Sequence, residues 1–122
     1  MKPGDKAKRL RIYISSTDKF RHTPLYEEIV FAAKKFGIAG ATVLKGMMGY
    51  GASSEIYTDK FWELSEKMPL VIEIIDSPEK IDSFFDTIKP LFESSGKGHM
   101  VTADETIILV HKAGIIKQSE EG

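Results

Sequence analysis

The chain has 122 residues, a mass of 13.6 kDa, and 17 basic against 18 acidic side chains, for a formal charge of −1. That length suits one domain, 1–122, able to bury a core without disulfides or a structural metal, and the near-neutral balance argues against a chain whose main task is to neutralise nucleic-acid phosphates. The absence of Cys excludes a disulfide framework, a thiolate metal site and a cysteine nucleophile. Asn is also absent, Gln occurs once, and Lys and Glu dominate the charges, a usage that fits selection at high temperature.

The basic start, Met1 to Arg9, lacks the apolar stretch of a secretory signal. No later segment approaches the ~20 apolar residues of a membrane span. The expectation is a cytoplasmic protein with no membrane insertion.

Arg9 to Ser15 alternates, with Leu10, Ile12 and Ile14 on one face, and reads as a strand. After the polar turn 16–19, Thr23 is placed to cap a helix opening on Pro24. Glu27 and Glu28 suit its positive end, Lys34 and Lys35 its negative end, and Leu25, Ile29, Ala32, Ala33 and Phe36 form its apolar stripe. Gly37 supplies the stop. Residues 42–48 read as a second strand, and a long loop, about 49–61, begins with Gly49-Tyr50-Gly51. Within 57–68 the apolar residues fit either a helix or a strand. Leu70 to Ile75 is continuous and β-branched, as in a central strand. Ser77-Pro78 repeats the cap-and-proline signal before a helix with Ile81, Phe84, Phe85, Ile88, Leu91 and Phe92 on one stripe, which Pro90 should loosen in its last turn. Met100 to Thr102 and Ile107 to Val110 read as short strands on either side of a turn at Ala103-Asp104-Glu105, and 118–122 as a frayed tail.

The order β-α-β, long loop, β-α-β is that of an α+β, ferredoxin-like split βαβ sandwich: an antiparallel four-stranded sheet, two helices on one face, and a short C-terminal strand, with a core over about 8–112. The uncovered sheet face would be apolar, so self-association is expected.

Candidate chemistry is sparse. Glycine lets backbone N–H groups approach a phosphate, and Gly46, Gly49 and Gly51 lie beside Lys45, while Gly96 and Gly98 flank Lys97 next to His99. Neither cluster is a dinucleotide fingerprint or a Walker loop, and turn-shaping explains the same spacing. The loop aromatics Tyr50, Tyr57, Phe61 and Trp62 suit partner contact or packing within an oligomer. His22, His99 and His111 show no metal-ligand spacing, and Ser15, Ser16, Thr17, Ser53 and Ser54 come with no nucleophile elbow or Ser-x-x-Lys pair. A catalytic role is not expected.

The segments Gly40-Ala41-Thr42-Val43-Leu44-Lys45-Gly46-Met47-Met48-Gly49-Tyr50-Gly51 and Leu64-Ser65-Glu66-Lys67-Met68-Pro69-Leu70-Val71-Ile72-Glu73-Ile74-Ile75-Asp76 resemble a prokaryotic domain-of-unknown-function family in the nitrogen-regulatory PII-like superfamily. The resemblance spans about Arg9 to Lys112. It implies a homotrimeric signalling protein with an adenine nucleotide (ATP, ADP, AMP or cyclic AMP) as effector, seated between subunits against Lys45, Gly46, Gly49 and Gly51 and against Gly96, Lys97 and Gly98, the turn beside which His99 is the candidate histidine. It also implies a loop reaching a partner such as a membrane transporter or an enzyme, and a third strand extended back over 62–68. Two features depart from PII proteins. The loop base lacks the glutamine used for magnesium and 2-oxoglutarate, the only Gln being Gln118. In place of the C-terminal phosphate-binding arginines, the nearest residues are His111 and Lys112. Alternatives are a dimeric α+β-barrel enzyme, a trimeric metal-tolerance-type protein, and a single-stranded RNA binder, for which Tyr13 alone offers a sheet aromatic.

Overall fold

The computed structural model describes residues 1–51, 57–58, 67–94 and 97–114. Its main sheet has the order β4-β7-β1-β8, with every neighbouring pair antiparallel, built from β1 (Lys6–Ser15), β4 (Gly40–Lys45), β7 (Pro69–Asp76) and β8 (Met100–Ile107). Two-residue ladders pair β2 (Lys19–Phe20) with β3 (Thr23–Pro24), and β5 (Met48–Gly49) with β6 (Tyr57–Thr58). The helices are α1 (Leu25–Phe36) and α2 (Pro78–Glu93). This is the α+β, ferredoxin-like arrangement that the order of elements implies, with β1 and β7 central and β4 and β8 at the edges.

One core explains the alternation. Leu10, Ile12 and Ile14 of β1 and Leu70, Ile72 and Ile74 of β7 point to the same face and pack on Leu25, Ile29 and Ala33 of α1 and Ile81, Phe84 and Ile88 of α2. Phe36 meets Phe84 edge to face at 5.5 Å between centroids. Ser77 caps α2 by accepting the Lys80 N–H at 3.3 Å, ahead of Pro78. Gly37 ends α1 in the left-handed region at φ 88°, and Lys80 Nζ reaches its carbonyl at 2.5 Å. The buried Asp76 carboxylate accepts the Ala39 N–H at 2.8 Å and the Ser77 N–H at 2.6 Å, so it holds the α1–β4 turn against the start of α2.

Four local expectations need correction. Thr23 does not cap α1: Thr23 and Pro24 pair with β2, the helix opens at Leu25, and no side chain caps it. Asp18 O takes the Leu25 N–H at 2.8 Å instead. The second strand ends at Lys45, and Met48–Gly49 forms a separate ladder. Pro90 does fall in the last turn of α2, which ends at Glu93. No turn interrupts 103–105: β8 crosses it because Ala103, Asp104 and Glu105 pair with Leu10, Arg9 and Lys8, and among the described residues no strand follows β8. Finally, β7 begins at Pro69, with Lys67 and Met68 outside it and 62–66 beyond the described residues.

Candidate functional site

Strand direction decides where the candidate residues lie. β4 ends at Lys45 opposite Leu70, β1 ends at Ser15 opposite Pro69, and β8 begins at Met100 opposite Tyr13. Lys45-Gly46 and Lys97-Gly98-His99 therefore share one end of the sheet. They sit on its two opposite edges, with β7 and β1 between them. At ~4.8 Å per strand the two groups are roughly 14 Å apart within one chain.

Gly46 is not a free phosphate cradle. Its N–H donates to Pro69 O at 2.7 Å, and a Cβ on it would lie 2.9 Å from Pro69 Cγ, so close packing on Pro69 requires glycine there. Gly49 pairs with Tyr57 in the β5–β6 ladder, whereas a Cβ on Gly51 would meet nothing within 4 Å. Lys45, Lys97 and Gly98 are exposed. Tyr50 is 75% exposed, in a run with the exposed Met47 and Met48. Tyr57 contributes backbone to β6; Gly96, Phe61, Trp62 and the tail 118–122 lie outside the described residues.

His99 is held more firmly. Its ring lies edge to face on Phe92 at 5.3 Å, and Nε2 is 3.8 Å from Asp18 Oδ2 with both side chains almost fully buried. Burial lowers its pKa below the ordinary 6.5, and the Asp18 charge opposes that shift. Sequence reasoning passed over Asp18 as part of a polar turn. The Ser-x-x-Asp spacing from Ser15 was the available signal, since Asp18 Oδ2 accepts the Ser15 N–H at 2.9 Å.

The sheet face away from the helices carries a second feature. Leu44, Val71, Tyr13 and Met100 are successive cross-strand partners, an apolar row spanning all four strands, and Leu44, Tyr13 and Met100 are exposed. Beside it run charges. Arg11 meets Glu73 at 3.2 Å, and Arg9 meets Asp104 through two bonds, the shorter 2.6 Å. The Arg9 guanidinium holds the Asp104 carboxyl below the usual carboxylate range. These pairs were invisible without the strand register. Among the described residues no cluster of His, Asp and Glu could hold a metal ion, and no helix is long and apolar enough to cross a membrane.

Residues 7–107 match the DUF190 family, described as uncharacterized ACR. The chain belongs to that family. A UPF0166 protein of Aquifex aeolicus is 42% identical to this DUF190 chain over 84 residues, 69% of the chain and 80% of the relative. A UPF0166 protein of Methanocaldococcus jannaschii is 37% identical over 91 residues, 75% of the chain and 83% of the relative. Among solved structures, CPII of Thiomonas intermedia, a nitrogen regulatory PII-like protein bound to ADP, AMP and bicarbonate, superposes with a TM-score of 0.66 at 15% identity, covering 86% of this chain and 90% of its own. A Thermus thermophilus protein described as PII-like gives 0.62 at 15% identity, covering 89% and 94%. The DUF190 chain thus has the PII-like fold.

Proposed function

We propose that this DUF190 protein is a non-catalytic, oligomeric regulatory protein that binds an adenine nucleotide in a cleft between two copies of the chain. The observation that carries the reading is the placement of Lys45 and Lys97-Gly98-His99 on opposite edges of one end of the sheet. Within one chain the two groups are separated by the width of β7 and β1. A nucleotide can join them where the β4 edge of one copy meets the β8 edge of the next. Lys45 and the open Gly51 then supply one wall, and the Gly96 to His99 turn the other, with Gly46 and Gly49 shaping the first.

The apolar row Leu44-Val71-Tyr13-Met100 supports association, since a monomer would leave it in water. The CPII structure of the same fold, bound to ADP, AMP and bicarbonate, supports an adenine nucleotide as the ligand class. A homotrimer closes such edge-to-edge contacts with one interface type. In this reading the segment 46–68, the arm, carries the loop of about 49–61, whose Tyr50, Tyr57, Phe61 and Trp62 contact a partner protein such as a transporter or an enzyme in the cytoplasm.

The test is a solution mass by light scattering with calorimetric titration of ADP, AMP, ATP and cyclic AMP. A trimer that binds one of them, and loses at least tenfold in affinity in Lys45→Ala and in Lys97→Ala, supports the reading. A dimer indifferent to all four contradicts it and favours the dimeric-barrel enzyme.

A further inference from the structure

The sheet end that carries Lys45 and His99 also holds a turn, Ser15 to Asp18, to which the nucleotide reading gives no part. Beyond Ser15 the chain turns so that the Asp18 N–H reaches Ser15 O at 3.1 Å, while Asp18 Oδ2 takes the Ser15 N–H at 2.9 Å. That same oxygen faces His99 Nε2 at 3.8 Å, and the two side chains are only 7% and 6% exposed. The hydroxyls of the turn are engaged internally: Ser15 Oγ and Thr17 Oγ1 are 3.1 Å apart, and the Thr17 N–H reaches Ser15 Oγ at 3.3 Å. With a carboxylate buried beside them, they do not form an anion site.

Ser16 joins this turn to the far end of the arm. Its N–H donates to Met68 O at 2.8 Å, and its Oγ accepts the Met68 N–H at 2.9 Å. Met68, buried immediately before Pro69, is where the arm re-enters the sheet. One turn is therefore held from two sides, by the residue that follows Lys97-Gly98 and by the residue that ends the arm.

We infer that Asp18 is a positioning residue whose carboxylate couples the Lys97-Gly98-His99 turn to Met68, so that a ligand seated on that turn alters the C-terminal root of the arm. At 3.8 Å the His99–Asp18 pair lies beyond the ~3.2 Å limit of a good hydrogen bond. A shift of well under 1 Å in His99 closes that gap, and Oδ2 then divides its acceptor capacity between His99 and the Ser15 N–H. Loosening the Ser15–Asp18 contact displaces Ser16, and with it both bonds to Met68. The two arrangements of one carboxylate supply the discrete element that coupling between separate sites needs.

The ligand side of this inference rests on the nucleotide reading above; the link from His99 to Met68 does not. The experiment is amide hydrogen exchange at Met68 in the full chain, with ADP as probe, for wild type, Asp18→Asn, His99→Gln and the double variant. Asn keeps an acceptor for the Ser15 N–H and removes the charge facing His99, so the turn is retained. ADP should change Met68 exchange several-fold in wild type, and not in Asp18→Asn even at saturating ADP. An Asp18→Asn protein whose Met68 still responds fully overturns the coupling. Without nucleotide, each single variant should speed Met68 exchange, and the double variant no further than the stronger single one. Additive effects, or none at Met68, overturn the link. Wild type that fails to bind ADP overturns the nucleotide reading instead, and the nucleotide-free cycle still decides the link.

Discussion

Gly46 and Pro69 close the root of the arm: the Gly46 N–H donates to Pro69 O at 2.7 Å, and Pro69 Cγ occupies the space a Gly46 side chain would need. Gly46→Val should destabilise the fold by about 1–3 kcal/mol, the usual range for overpacking a filled site. Gly51→Ala, placed where nothing lies within 4 Å, should change stability by under about 0.5 kcal/mol. Denaturant melts of the two variants check this, and equal losses would show that Gly46 is not a packing glycine.

Asp76 predicts a second loss. Removing its buried carboxylate strands the Ala39 and Ser77 N–H groups, at about 1–3 kcal/mol for a buried donor left unpaired. Asp76→Ala should fall in or above that range, and Asp76→Asn, which keeps one acceptor, should lose less. Chemical denaturation of both variants tests the order.

Most of this architecture was legible in the residues because its determinants are local or periodic. Leu10, Ile12 and Ile14 alternate, Ile81, Phe84 and Ile88 recur at helical spacing, and Ser77-Pro78 and Gly37 mark helix ends. The misreadings arose where a distant partner decides. Ala103-Asp104-Glu105 looks like a turn until β1 is laid beside it, and Thr23 looks like a cap until it pairs with Phe20. For the candidate site, the sequence singles out Lys45, Lys97 and His99 by residue type and neighbouring glycines, and their placement at opposite sheet edges emerges only from the strand order. Arg11 and Glu73 escaped because their pairing depends on strand register, and Asp18 because its distant neighbour His99 is seen only in the fold.

Acid should weaken the fold through His99. Its folded pKa lies below the ordinary 6.5 because burial disfavours the imidazolium, so the unfolded chain binds the proton more readily. This contribution is complete above about pH 6.5 and declines as pH falls toward the depressed folded value. Asp104, held below 3.8 by Arg9, adds a separate loss only in more acidic solution. Melting temperature followed from pH 8 to pH 5 should fall in wild type and fall less in His99→Phe; identical slopes would contradict the assignment.

The apolar row on the open sheet face predicts an assembly variant. Val71→Lys or Met100→Lys places a charge in a row that spans all four strands. Because Met100 is 61% exposed in the single chain, Met100→Lys should leave the monomer fold intact while lowering the solution mass. Circular dichroism with light scattering separates the two effects, and an unchanged mass in both variants would place the interface elsewhere.

In the proposed assembly, Lys45 of one copy and Lys97 of another share a single nucleotide site. The decisive measurement is ADP titration of co-refolded Lys45→Ala and Lys97→Ala chains, each weakened at least tenfold in ADP affinity by itself. The mixture should regain binding, because some junctions unite an intact Lys45 with an intact Lys97 from the other chain. A mixture that binds as weakly as its components would contradict that sharing.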